Sequence, residues 1–202
     1  IYLFYCMYLL NLAGLLGIAI TGDVFNLFVF LEISSLSSYV LISLGRDRRA
    51  LSAAYRYLIM GTLGATFYLI GVGMMYQMTG TLNMADLAGL IPEISDTRTI
   101  QVALAFLSVG LCLKLALFPL HFWLPNAYTY APSAVSAFLA GTGTKVAIYA
   151  FIRILFTVFN GAGLFDDFGL AEMLSGFAVI AMIGASAVAV YQTNIKRMLA
   201  YS

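Results

Sequence analysis

Apolar residues run in long continuous stretches along this chain, not at the alternating or helical spacing of elements that are half buried in a soluble core. A helix that crosses a membrane needs ~20 mostly apolar residues, and the sequence offers six such stretches. Ile1–Thr21 carries no charge. Val24–Leu44 is broken only by Glu32. Tyr57–Gln77 follows, then Ile100–Leu120 with Lys114, Ser133–Phe156 with Lys145, and Met173–Ile195. The short alternating segments of a membrane β-barrel do not occur. The pattern predicts an all-α polytopic transmembrane helix bundle of six spans, a single transmembrane domain over residues 1–202.

The connections alternate in charge. Arg46, Asp47, Arg48 and Arg49 join the second and third spans, with Arg56 just inside the third, and Lys196 and Arg197 follow the sixth. The other side carries Arg98 and Arg153 beside Asp86, Glu93, Asp96, Asp166, Asp167 and Glu172. Short cytoplasmic loops carry the excess of Lys and Arg, so the 45–56 arginine loop is expected in the cytoplasm; the membrane expected is the inner membrane of a prokaryotic cell. Gly89–Thr97 and Asn160–Asp167 read as exposed loops punctuated by Gly, Pro and acids. Ile1 lacks a preceding Met and a basic region, so Ile1–Ile20 reads as a span and not a signal peptide, and the chain as an internal piece of a longer protein.

Composition narrows the function classes. Of 202 residues, 62% are hydrophobic and 9% charged, and the mean hydropathy is +0.97. A soluble domain carries ~25% charged residues, so a soluble enzyme is excluded. A net charge of +1 gives no basic field for nucleic acid. One His and two Cys do not make a zinc site, and Cys6 and Cys112 read as small apolar residues within spans. With no Cys cluster and no GxGxxG after a strand, no flavin, iron–sulfur or nucleotide cofactor is expected, and no catalytic site.

Three charges lie where charges are expensive. Glu32, Lys114 and Lys145 sit near the middle of their spans. Unpaired, they would cost on the order of 8–10 kcal/mol together, comparable to the stability of a typical protein. Burial disfavours the charged form of any ionisable group, which is why such residues recur in proton pathways. Glu32, Ser35, Tyr39 and Ser43 share one helical face, and Gly141, Thr142, Lys145 and Tyr149 share another. The plainer alternative is an internal staple of Glu32 with one lysine, although two lysines against one glutamate leave a positive charge that a staple does not explain.

Pro119 removes a donor and clashes with the turn before it, and Pro125 and Pro132 follow. Pro119–Pro132 is therefore either an interrupted helix lining a cavity or a tight interfacial loop anchored by Trp123. His121 lies seven residues after Lys114, on the same face if the helix persists. With an unperturbed pKa of roughly 6.5 it suits a proton relay, or it hydrogen-bonds a loop carbonyl. Arg56 snorkels to the surface or tunes the polar seam. Lys196 and Arg197 form a cytoplasmic stop or extend the path. Asp23 caps the helix that follows it, and Gly61, Gly64, Gly71 and Gly73 read as close-packing positions.

The segments GDVFNLFVFLE (Gly22–Glu32) and LCLKLALFPLHFWLPNAYTYAPSAVSAFLAGTGTKVAIYAFIR (Leu111–Arg153) resemble the proton-conducting antiporter-like subunits. That family includes membrane subunits of respiratory complex I, of membrane-bound hydrogenases, and the D-type subunit of Mrp cation/proton antiporters. The resemblance implies the first half of an inverted-repeat fold with one discontinuous helix. Residues 1–158 correspond to the first five-helix unit and 159–202 to a loop and the start of the second. It implies Glu32 as the membrane glutamate, Lys114 as its paired lysine, Lys145 as the next lysine, His121 as a path histidine and Pro119 as the helix break. Asn194–Ser202 resembles the family's Lys-Arg-x-Leu-Ala-Tyr-Ser run, which brings in Lys196. The residues that close the path in relatives lie beyond this chain, so the piece alone is not expected to conduct.

Ser37–Gly45 and Thr79–Asp86 look more like D-type Mrp and hydrogenase-linked subunits, and many complex I relatives carry a His where Tyr128 stands. The resemblance thus implies translocation of protons, with Na⁺ or K⁺ as exchanged ions, beside other membrane subunits of a multisubunit complex. The alternative is a proton-pumping subunit of an NADH:quinone oxidoreductase or hydrogenase. More remote are a small-solute secondary transporter and a structural subunit whose charges only hold the bundle together.

Overall fold

The computed structural model describes residues 2–159 and 169–201. Among them are nine α-helices and one π-helical turn. They are α1 (Tyr2–Ile20), α2 (Val24–Ser43), α3 (Arg49–Thr79), α4 (Met84–Ile94), α5 (Arg98–Leu115), α6 (Leu124–Tyr130) and α7 (Ser133–Arg153), which runs into the π-helical turn Ile154–Val158, then α8 (Leu170–Val190) and α9 (Ile195–Tyr201). Six elements are long and apolar enough to cross a membrane: α1, α2, α3, α5, α7 with its π-helical extension, and α8. These are the six expected spans, and the chain is an integral membrane helix bundle.

Local chemistry sets the boundaries. Asp23 caps α2, its Oδ1 accepting from Asn26 N at 2.7 Å. Asn83 caps α4 in the same way, from Ala85 N at 2.8 Å. A short backbone bridge clamps the two starts together: Val24 N donates to Leu82 O at 3.0 Å and Met84 N to Gly22 O at 2.8 Å. At the end of α3, Gly80 is left-handed (φ 69°) and its N–H reaches back to Tyr76 O, a cap that glycine makes without steric cost.

The expected loop Gly89–Thr97 is corrected. Its first part is the second half of α4, whose Met84, Leu87 and Ile91 are buried at helical spacing. Pro92 does not abolish this helix because it sits in the final turn, where one backbone bond is lost. The expected loop Asn160–Asp167 lies outside the described residues.

The bundle closes by backbone approach. A Cβ at Gly110 would meet Gly64 O and Tyr68 N, one at Gly71 would meet Leu107 and Ala103 O, and one at Gly61 would meet the Tyr39 hydroxyl. Small residues permit such contact where van der Waals packing drives helix association. Gly73 faces open space instead. One apolar core is built from α1, α2, α3, α4, α5 and α7, and a second gathers around Trp123, Ala127 and Val135. By contrast α8 buries none of its residues. Arg46, Arg49, Lys196 and Arg197 line one cleft with Tyr130, so the basic connections do lie on the same side.

Candidate functional site

The expected fourth span stops earlier than the hydropathy pattern suggested. The ring of Pro119 would clash with the carbonyl four residues back, at Leu115, in a continuous helix. There α5 ends. Ala116 adopts the left-handed conformation (φ 59°), and Leu117 N donates to Cys112 O at 3.0 Å. Lys114 is consequently not at mid-helix but in the last turn, where unsatisfied carbonyls and the negative end of the helix dipole favour a cation. A turn leads into α6, so Pro119 marks a discontinuous helix.

Trp123 is not a surface anchor. It is buried, stacks on Tyr57 with ring centroids 4.0 Å apart and planes 2° from parallel, and donates from Nε1 to Leu113 O at 3.1 Å. One of the carbonyls freed by the break is thus satisfied from the far side of the turn, as a break inside a membrane requires.

Glu32 and Ser35 lie one turn apart on α2 and meet the broken end of α5. Lys114 Nζ donates to Glu32 Oε1 at 3.1 Å and to Ser35 Oγ at 2.5 Å. The lysine side chain is 5% exposed and the glutamate 22%. The pairing answers the desolvation problem, because a buried ammonium persists only when paired and hydrogen-bonded. Tyr39, on the same face, packs edge-to-face on Tyr57 at 4.7 Å. Ser43 turns back to Val40 O at 2.7 Å and lies outside the cluster.

A small cavity of about 30 Å³ adjoins Lys114, its lining divided between polar residues such as Asn11, Ser35 and Ser38 and apolar ones such as Leu15, Ile18 and Leu31. Asn11 is the member that sequence reasoning missed. It is wholly buried and cross-links α1 to α2, its Nδ2 reaching Ser34 O at 2.7 Å and the hydroxyls of Ser37 and Ser38. The signal was present, since Asn11 is the single side-chain amide of an otherwise uncharged span.

The second lysine is differently placed. Lys145 is exposed, and its Nζ donates to Ala140 O of its own helix at 2.7 Å. Gly143 and Ala147 of α7 face the Lys114 cavity, while Lys145 faces another of about 410 Å³, with Tyr128, Ser136, Thr144 and Lys196. Lys196 reaches Ala131 O at 3.0 Å across that side. On the face shared with Lys145, Tyr149 donates to Ala19 O of α1 at 3.3 Å.

The expected alignment of His121 with Lys114 is corrected, because α5 ends before it can form. His121 lies on the turn after the break, its ring against Phe118 at 5.5 Å, Phe122 at 4.8 Å and the edge of Tyr201 at 6.2 Å. It lines a third cavity of about 130 Å³ with Ala181 and Ala185 of α8. The structure therefore pairs Glu32 with Lys114, sets Lys145 and Lys196 around one separate cavity without a contact between them, and places His121 on a third.

Comparison with known proteins bears on this arrangement. A family model described as "NADH:quinone oxidoreductase/Mrp antiporter, TM" matches residues 21–202. A protein of Desulforudis audaxviator named NADH-quinone oxidoreductase subunit N is 52% identical, over 98% of this chain and 39% of the relative. A protein of Alkalihalophilus pseudofirmus, named as the D-type subunit of a Na⁺/H⁺ antiporter, is 39% identical, over 99% of this chain and 40% of the relative. A solved chain of the membrane-bound sulfane sulfur reductase, an archaeal respiratory membrane complex, superposes with a TM-score of 0.89 at 38% identity, covering 96% of this chain and 39% of that one. The chain spans about two fifths of the length of these relatives.

Proposed function

Because this chain belongs to the NADH:quinone oxidoreductase/Mrp antiporter transmembrane family, we propose that it serves as an antiporter-like subunit that moves protons across a membrane, of the D-type Mrp kind, with Na⁺ or K⁺ as the exchanged ion. The observation that carries this reading is the buried Lys114 held by Glu32 and Ser35 at the end of a broken helix. A proton rests on Lys114 while Glu32 is close. Loosening of the pair releases it toward Lys145 and then toward Lys196, with His121 as a separate relay on the turn. A partner event drives the loosening, because a two-state element moves only when something binds or acts on its states unequally.

In this reading residues 1–158 form the first five-helix unit and 159–202 lead into the second. Other membrane subunits flank the chain. The expected 45–56 loop is shorter than the charge pattern suggested, because α3 begins at Arg49; the connection 45–48 and the basic first turns of α3 face the cytoplasm beside a prokaryotic inner membrane. The second reading, a redox-driven proton pump, is favoured by the 52% identity to a protein named NADH-quinone oxidoreductase subunit N.

Proton flux in inside-out vesicles holding the full-length protein in its complex tests both. A pH gradient is imposed and Na⁺ or K⁺ added without an electron donor. Collapse of the gradient in wild type but not in Lys114→Ala supports cation/proton exchange. No response to cations, with pumping on NADH or hydrogen, supports the redox-driven pump. A Glu32→Gln complex that assembles normally and transports at the wild-type rate would sink both.

A further inference from the structure

We propose that the pocket between the first two turns of α3 and the end of α6 holds the headgroup of an anionic phospholipid, with Arg56 binding its phosphate. The pocket measures about 160 Å³ and is lined by Arg49, Ser52, Ala53, Arg56, Asn126 and Tyr130.

Its depth fits a phosphate. The 31 residues of α3 make a helix of roughly 46 Å at 1.5 Å per residue, longer than a hydrocarbon core of about 30 Å is thick. With the apolar stretch of this helix set at Tyr57–Gln77, residues 49–56 lie at the headgroup level, and Arg56 is the last of them. Helical side chains lean toward the N-terminus of their helix, so Arg56 leans toward Arg49 and away from the hydrocarbon.

The lining holds two cations and no acid. Arg49 already carries Asp47, with Nη2 3.0 Å from Oδ2, and its Nη1 donates to the Tyr130 hydroxyl at 3.2 Å. A guanidinium has five N–H donors, so Arg49 keeps donors for a ligand. The Tyr130 hydroxyl accepts from Arg49 and keeps its own proton to give. Arg56 is exposed and has no partner among the described residues. A cation at the edge of the hydrocarbon, beside no carboxylate, calls for an anion from outside the chain. At the headgroup level that anion is a lipid phosphate, which matches the planar fork of arginine. A zwitterionic headgroup fits less well, because its ammonium finds no carboxylate in the lining.

The acyl chains have a surface to follow. Ile59, Leu63 and Ile70 succeed Arg56 at spacings of three, four and seven, on the same helical face. They are 42–47% exposed, so an apolar strip runs from the basic pocket into the membrane.

The test uses the full-length protein in its complex. Electron cryomicroscopy in nanodiscs of phosphatidylglycerol and phosphatidylcholine should show a phosphate within hydrogen-bond distance of the Arg56 guanidinium. Native mass spectrometry of the purified complex, titrated with phosphatidylglycerol, should show a bound lipid that Arg56→Gln weakens roughly tenfold or more, the worth of a hydrogen bond to a charged group. Arg48→Gln removes an equal charge from the same end of α3, but Arg48 does not line the pocket. It should cost roughly fivefold or less, as a surface charge near an anionic membrane does. Tyr130→Phe leaves every charge in place and should still weaken binding, which keeps the site testable where Arg56→Gln does not assemble. Equal losses in Arg56→Gln and Arg48→Gln would mean unspecific attraction and overturn the site. Unchanged binding in Tyr130→Phe, phosphatidylcholine binding as tightly, or a side chain of another subunit filling the pocket would overturn it too. Displacement of the lipid by inorganic phosphate would make it a site for soluble anions instead, which also overturns the proposal.

Discussion

Lys114 and Lys145 are both lysines in apolar spans, yet their surroundings differ in kind. Lys114 is buried at a helix terminus with a carboxylate and a hydroxyl from another helix. Lys145 is exposed at mid-helix and, among the described residues, bonds a carbonyl of its own helix, five residues back. The first is fixed by tertiary structure, so its removal should cost stability as well as the proposed proton transfer. The second holds no partner from another element among the described residues, so its removal takes little from the fold.

The largest effect is expected for Lys114→Ala. It leaves Glu32 partly buried and unpaired, and breaking a buried pair from one side costs about 3–5 kcal/mol. Proton flux should vanish and the yield of assembled complex should fall. The double variant Glu32→Leu/Lys114→Met separates the two roles. Apolar replacement of both partners is often near neutral, so assembly should recover while flux stays lost; flux that returned with assembly would mean the pair is only a staple.

Glu32→Gln comes next. It keeps shape and an acceptor but removes the charge, at about 1.5–3 kcal/mol for a hydrogen bond to a charged group. Flux should drop roughly 10- to 100-fold at constant amounts of complex.

Lys145→Ala should not lower the thermal unfolding midpoint of the purified protein, since it removes a mid-span charge and breaks no bond to another element among the described residues, while vesicle flux falls. Equal losses of stability at the two lysines would mean that Lys145 is held as firmly as Lys114.

The smallest effect is expected for Trp123→Phe, which preserves stacking on Tyr57 but leaves Leu113 O with only the longer bond from Ala116 N at 3.4 Å. About 1 kcal/mol should be lost, visible as a modestly lower unfolding midpoint, with flux lowered only as far as the end of α5 shifts Lys114.

Much of this arrangement could be read from the chain. Asp23 as a cap, the six spans, and the shared face of Glu32 and Ser35 rest on neighbours within a few residues. The break at Pro119 was legible too, though its position was not. Hydropathy carried the span to Leu120, while the proline ring excludes helix back to Leu115. The helix α4 was hidden because Gly89 and Pro92 look like loop residues until Leu87 and Ile91 find a core to enter. Asn11 was passed over because one amide in an apolar span has no visible partner along the sequence.

By itself, then, the sequence determined that this chain lives in a membrane as helices, because apolar length and backbone hydrogen bonding within a segment are local properties. Only the tertiary structure decided which charges meet. Glu32 and Lys114 are 82 positions apart in the chain, and their contact depends on how α2 and the shortened α5 pack. The same packing turns Lys145 and His121 toward other cavities, since a side chain's direction is set by where its helix ends and which face it presents.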